Sequence, residues 1–391
     1  MSAIELRASF SLASIFALRL FGMFIILPVF VLYAQGRPGW TLTLVGIALG
    51  AYGLTQAALQ IPFGRLSDRL GRKPVIYFGL VVLALGSFVC AAGESPWVVI
   101  LGRVLQGAGA ISATVIALAA DLTRDSQRTK SMAIIGSTIG VVFAASFLAG
   151  PILQKAIGVP GIFVLTGLAA LGAIAVVRFA VPEAPPKPRL AKPVAFAVLM
   201  RDPELLRLNV GIFALHAVLM ALFVVVPVAM VQAGLPATQH WQVYLGSSIV
   251  GFALMLPALA GPASKHERPV FLAAIALIAV AIAVLLARLD SLAGIATALV
   301  IFFTGFNVLE AKLPALVSRA APREATGAAT GVYSSVQFLG TFFGGALGGA
   351  VAQHAGFVTV LAMCLAVTVA WFAVAWNMGE FVAAASPATR Q

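Results

Sequence analysis

GRLSDRLGRK, residues 64–73, lies between two long apolar runs, 41–63 and 74–92. A short charged loop flanked this way reads as the turn between two membrane helices. Arginine and lysine gather in such loops on the cytoplasmic side of a bilayer, which accounts for Arg65, Arg69, Arg72 and Lys73. It does not account for Gly64, Asp68 and Gly71, set at fixed offsets among them.

Working outward, the rest of the chain has the same character. Hydrophobic residues make up 61% of the 391, charged residues only 10%, and the mean hydropathy is +1.04. No soluble domain has this composition. A helix needs about 20 mainly apolar residues to cross a bilayer core, whereas barrel strands show weak alternation over about ten. The apolar runs therefore predict an all-α integral membrane protein with twelve spans. The first six fall near residues 10–33, 42–63, 74–93, 97–119, 131–154 and 160–181. The second six fall near 207–232, 241–261, 269–287, 291–316, 327–351 and 357–377. The first span carries Arg19 with no small-residue cleavage site close behind it, so it reads as a retained helix.

Arg19, Arg103 and Lys312 sit inside spans, leaving 22 of the 25 cations to report orientation. With the N-terminus inside, only Arg37, Lys155 and Arg288 face outward and the other 19 are cytoplasmic. The expectation is a multi-pass membrane protein with both termini in the cytoplasm. The net charge of +12 follows from that topology and calls for no nucleic-acid partner. Cys90 and Cys364 lie in spans 3 and 12 and suggest neither a disulfide nor a metal site.

Residues 183–203 bring five prolines and a run of charge, splitting the chain into a bundle of six spans, 1–182, and a second, 204–380, with a tail at 381–391. Gly136 and Gly150 in span 5 recur 195 positions later as Gly331 and Gly345 in span 11. Two pseudo-symmetric six-helix bundles are the expected architecture. No phosphate-binding loop appears, so ATP is not the expected energy source, and no cofactor or metal is expected.

Charges within the bilayer are costly, so each is a functional candidate. Arg19 is in span 1, Arg103 in span 4, His216 in span 7, and Glu310 with Lys312 in span 10. Glu310 lies about 9 Å from the midpoint of its span at ~1.5 Å per residue, and is the one acid well inside any span. Proton coupling needs such a group; Glu310 is expected to bind the proton and Arg19 to compete for it. The alternative is a fixed ion pair between them. His216 is a second proton-site candidate or a hydrogen-bonded packing residue. Lys312, near a span end, is expected to snorkel to the interface.

The 64–73 segment resembles the signature loop between helices 2 and 3 of the major facilitator superfamily, matching it at Gly64, Asp68, Gly71, Arg72 and Lys73. LGRVLQGAGA (101–110) resembles the family's fourth-helix motif through Arg103, Gln106 and Gly107. GSTIGVVFAASFLAGPIL (136–153) resembles the glycine-rich fifth-helix motif of its exporters, with Gly136, Gly140, Gly150 and Pro151, although Ile152, Leu153 and Gln154 replace the usual glycines beyond the proline. The likeness runs to about residue 380 and is nearest the drug:proton antiporters. It implies the major facilitator fold, with helices 1, 4, 7 and 10 around a central cavity, and no enzymatic activity. It also implies a monomer that exchanges protons for a small-molecule substrate across the lipid bilayer of a bacterial inner membrane.

Phe24, Tyr52, Gln56, Met220, Asn307, Tyr333 and Gln337 are candidate cavity residues, with simple packing as the alternative for each. Asp68 is expected to cap the start of span 11 near Thr326 and Gly327, and Asp121 to pair with Arg72, together closing the cytoplasmic side. Proton-driven efflux of amphipathic molecules is the leading functional expectation. Carriage of an organic anion, and a non-transporting sensor on the same fold, are the alternatives.

Overall fold

A computed structural model describes residues 1–184, 201–260, 266–322 and 325–378. Most of the 183–203 linker, the echo of the signature loop at 261–265 and the 381–391 tail lie outside the described residues. The first half comprises α1 (Ala3–Phe24), α2 (Leu27–Ala34), α3 (Leu42–Leu70), α4 (Arg72–Ala92), α5 (Pro96–Ala108), α6 (Ser112–Asp121) and α7 (Asp125–Phe179). The second comprises α8 (Pro203–Gln232), α9 (His240–Ala260), α10 (Glu267–Arg288), α11 (Leu292–Ala320) and α12 (Thr326–Trp376).

Taking α1–α2 and α5–α6 as continuous, ten of these helices are long and apolar enough to cross a membrane. The breaks follow from sequence. Pro28 lacks an N–H and opens α2 after a short turn at Ile25–Ile26. Gly109 ends α5 where the backbone must pass close to α4, since a Cβ there would lie 2.5 Å from the Gly79 carbonyl. Helices α7 and α12 run for 55 and 51 residues, but each is interrupted by one glycine at positive φ, Gly158 (69°) and Gly356 (80°). Each is about 80 Å long at ~1.5 Å per residue, against a core of about 30 Å, and so long enough for two crossings.

A hydrogen bond repeats the internal symmetry. Lys73 Nζ, at the start of α4, donates to the Val181 carbonyl at 2.8 Å and to Glu183 at 2.6 Å. At the same 195-residue offset in both partners, Arg268 Nη2 donates to the Trp376 carbonyl at 2.6 Å. Each cation satisfies a carbonyl that a helix end leaves without an intrahelical partner. Glu183 is well exposed, so its pairing adds little. Replacing Lys73 or Arg268 by Met should each cost about 1 kcal/mol and lower the melting temperature in detergent. Unchanged melting in both would mean that water substitutes for the cap.

The two halves meet most closely along α3 and α12. A Cβ on Gly46 would lie 2.0 Å from the Gly345 carbonyl, and one on Gly349 would lie 2.3 Å from the Leu42 carbonyl. Only glycines permit this approach. The Leu42 N–H, at the first turn of α3, donates to Gln353 Oε1 at 2.9 Å. At the opposite face the halves part. Gly136, Gly140 and Gly327 have nothing within 4 Å of an added Cβ, and Gly331 meets only Ile61 at 3.9 Å. The molecule is a wedge, shut at the Leu42 face and open at the face carrying residues 64–73.

Candidate functional site

Arg19 projects from α1, midway along the continuous α1–α2 span, and is 1% exposed. Its guanidinium donates to Ser112 Oγ and Gln56 Oε1. Gln56 in turn donates to Gln60 Oε1 at 2.7 Å, one turn along α3. One turn the other way, the Tyr52 ring lies 5.6 Å from the Arg19 guanidinium and 5.1 Å from that of Arg103. Arg103, 2% exposed, donates from Nε to the Ala48 carbonyl at 3.2 Å and from Nη1 to Gln106 at 2.7 Å. Gln106 donates on to Ser87 Oγ at 2.8 Å. The motif glycine Gly107 lets α3 press on α5, because a Cβ there would lie 2.1 Å from the Tyr52 carbonyl. Neither arginine has a carboxylate partner among the described residues.

The second half supplies the acid. Glu310 on α11, His216 on α8 and Gln337 on α12 converge, with Gln337 Nε2 donating to Glu310 Oε1 at 3.1 Å and to His216 Nε2 at 2.9 Å. His216 Nδ1 faces the Ile212 carbonyl at 3.3 Å, so the neutral ring protonated on Nδ1 satisfies both contacts. Between His216 Nε2 and Glu310 Oε1 the separation is 3.8 Å. Glu310 Oε2 and the hydroxyl of Tyr333, one turn before Gln337, are buried without a hydrogen-bond partner. Asn307, one turn before Glu310, is half-buried.

Arg19 and Glu310 do not form the ion pair that their charges suggest; each is held by neutral groups of its own half. The other candidates scatter. Met220 is sunk in the core of the second half, and Lys312 is half-buried near the end of α11. Phe24 packs edge-on to Phe143 at 5.0 Å. Cys90 and Cys364 are buried and unpaired.

Sequence reading missed the aromatic seal around Phe143 and Phe147. Phe143 stacks on Phe306 at 5.9 Å, and Phe147 stacks on Tyr244 at 5.0 Å, joining α7 to α11 and α9. Two phenylalanines one turn apart in a run of small residues were the available signal. Glu5 was missed too. Both its oxygens bind Arg124, at 2.9 and 3.0 Å, which ties the N-terminus to the start of α7.

In the signature loop, Gly71 adopts φ 97° and turns α3 into α4, a conformation that favours glycine. Gly64 stands near Ala113, with 3.9 Å from an added Cβ to its methyl. Arg72 binds Asp121 at 3.1 Å, as expected, and Asp68 at 2.6 Å. The expected contact between Asp68 and the start of α12 is not made. Asp68 is 61% exposed and turned to Arg72, because this face of the wedge is open.

Two groups of long apolar helices, each with charge buried inside it, describe a multi-pass membrane protein. The chain belongs to the major facilitator superfamily, whose family model matches residues 12–345. It is 41% identical over 324 residues to the inner membrane transport protein YajR of Escherichia coli (strain K12), covering 81% of this chain and 71% of that one. It is 27% identical over 255 residues to the multidrug resistance protein MdtH of Proteus mirabilis (strain HI4320), covering 63% and 62%. The solved structure of the nucleoside transporter NupG superposes with a TM-score of 0.77 at 12% identity, covering 95% of this chain and 99% of that one.

Proposed function

We propose that the protein is a proton-coupled secondary transporter that exports small amphipathic molecules by alternating access. The observation that carries this reading is Glu310, a carboxylate within a membrane helix that is bridged by Gln337 to a neutral histidine and balanced by no cation among the described residues. A group so placed can exchange a proton for a cationic substrate as access alternates. The name of MdtH as a multidrug resistance protein supports efflux, and the inner-membrane location of YajR supports the same membrane here. With the Lys and Arg distribution setting both termini in the cytoplasm, the open face of the wedge is the cytoplasmic one.

In this cycle the bundles 1–182 and 204–380 rock about the central site. Closing the cytoplasmic face brings Asp68 toward the start of α12, where the helix dipole favours an anion. Gly136 and Gly140 then receive the opposing half. A second reading, carriage of an organic anion, is favoured by Arg19 and Arg103, which are buried without an acid among the described residues. The test is a proteoliposome assay with an imposed pH gradient, following a fluorescent lipophilic cation and an organic anion in parallel. Gradient-driven movement of the cation, abolished by a protonophore, is the expected result. Movement of the anion alone favours the second reading, and movement of neither overturns both.

A further inference from the structure

The two halves bury opposite charge. Among the described residues, Arg19 and Arg103 lie in the first half with no carboxylate partner, and Glu310 lies in the second with no cation partner. Each pole also holds polar atoms that are buried and unsatisfied: Arg19 Nε and Tyr52 Oη at the first, Glu310 Oε2 and Tyr333 Oη at the second. A buried donor or acceptor left without a partner costs free energy, so four of them around three unmatched charges mark a place where a ligand supplies what the protein omits.

The poles are joined by an aromatic contact across the halves. Tyr52, whose ring lies beside both guanidiniums, approaches Phe338 with centroids 6.4 Å apart. Phe338 directly follows Gln337, the residue bound to Glu310. A charged group, an aromatic wall and the opposite charge thus follow one another from α1 to α11.

We propose that the preferred substrates are amphoteric: one molecule bearing an anionic group for the Arg19 pole and a protonated amine for Glu310, on either side of an apolar or aromatic body. A lipophilic cation satisfies Glu310 but leaves the arginines unmatched, and an organic anion does the reverse. Only a ligand with both charges balances both halves and holds them together. This proposal rests on the export reading for the role of Glu310, and it narrows the substrate class.

The test uses the full chain in detergent and three compounds on one scaffold. These are an aminomethyl-biphenyl-carboxylic acid, its methyl ester, which is only cationic, and its N-acetyl derivative, which is only anionic. Calorimetry should give the amphoteric acid an affinity about tenfold or more above either derivative, the advantage expected of one further charged hydrogen bond. In Arg19→Gln its affinity should fall to that of the ester, and in Glu310→Gln to that of the N-acetyl compound. Each variant should still bind the derivative that uses its intact pole, which separates loss of a pole from loss of the fold. Equal affinity of the ester and the parent acid, equal loss of all three ligands in either variant, or no binding by any of them overturns the proposal. Proton-driven movement of the ester with no preference for the acid would leave the export reading standing. A preference for the acid with no proton-driven movement would overturn the export reading alone.

Discussion

Glu310→Gln protein in proteoliposomes will no longer move a cationic substrate against its gradient when a pH difference is imposed. The loss should be complete within the sensitivity of the assay, while exchange of substrate down its own gradient continues. Proton and cation compete for one carboxylate in this scheme, so substrate binding to the parent protein weakens as pH falls. Gln keeps the shape and the contact with Gln337 but cannot change charge, and binding to the variant should no longer depend on pH. Residual pH dependence abolished only by a second change, His216→Gln, would move the proton site to the histidine. Full proton-driven transport by Glu310→Gln would remove the acid from the mechanism.

The second large effect is expected from Gly46→Leu. A Cβ at Gly46 falls 2.0 Å from the Gly345 carbonyl, so the shut face of the wedge cannot form with a side chain there. That contact lies between two halves that must separate in every cycle, and the cost should fall on one conformational state and spare the fold. The readout is a cysteine at Gly136, which stands in open space at the other face, labelled with a membrane-impermeant maleimide. The native cysteines are buried and stay unreactive. Labelling should slow about tenfold in the double variant, equivalent to ~1.4 kcal/mol of bias away from this state. An unchanged rate would mean that the halves part by another route. Gly107→Leu is the contrast: its Cβ would lie 2.1 Å from the Tyr52 carbonyl within one half. It should lower yield and melting temperature without shifting the labelling of the folded fraction.

The class of molecule was legible in the chain before any fold was known. Runs of apolar residues long enough to cross a bilayer can satisfy their backbone only as helices, and cations crowd the loops on one side for reasons of membrane charge. Both are properties of residues near one another in the chain. The 195-residue repeat was legible in glycines because close helix contact tolerates little else, and it recurred in the carbonyl caps of Lys73 and Arg268. Arg19, Arg103, His216 and Glu310 stood out because buried charge is rare in lipid. Their partners could not be read, since Ser112, Gln56, Gln60 and Gln337 are ordinary polar residues until the fold sets them within hydrogen-bond reach. The tertiary structure alone decided that Arg19 and Glu310 stay apart, each held by neutral groups of its own half. It also decided which face is shut: small residues on α3 and α12 permit close approach, but the pivot of two packed bundles determines the end at which they meet.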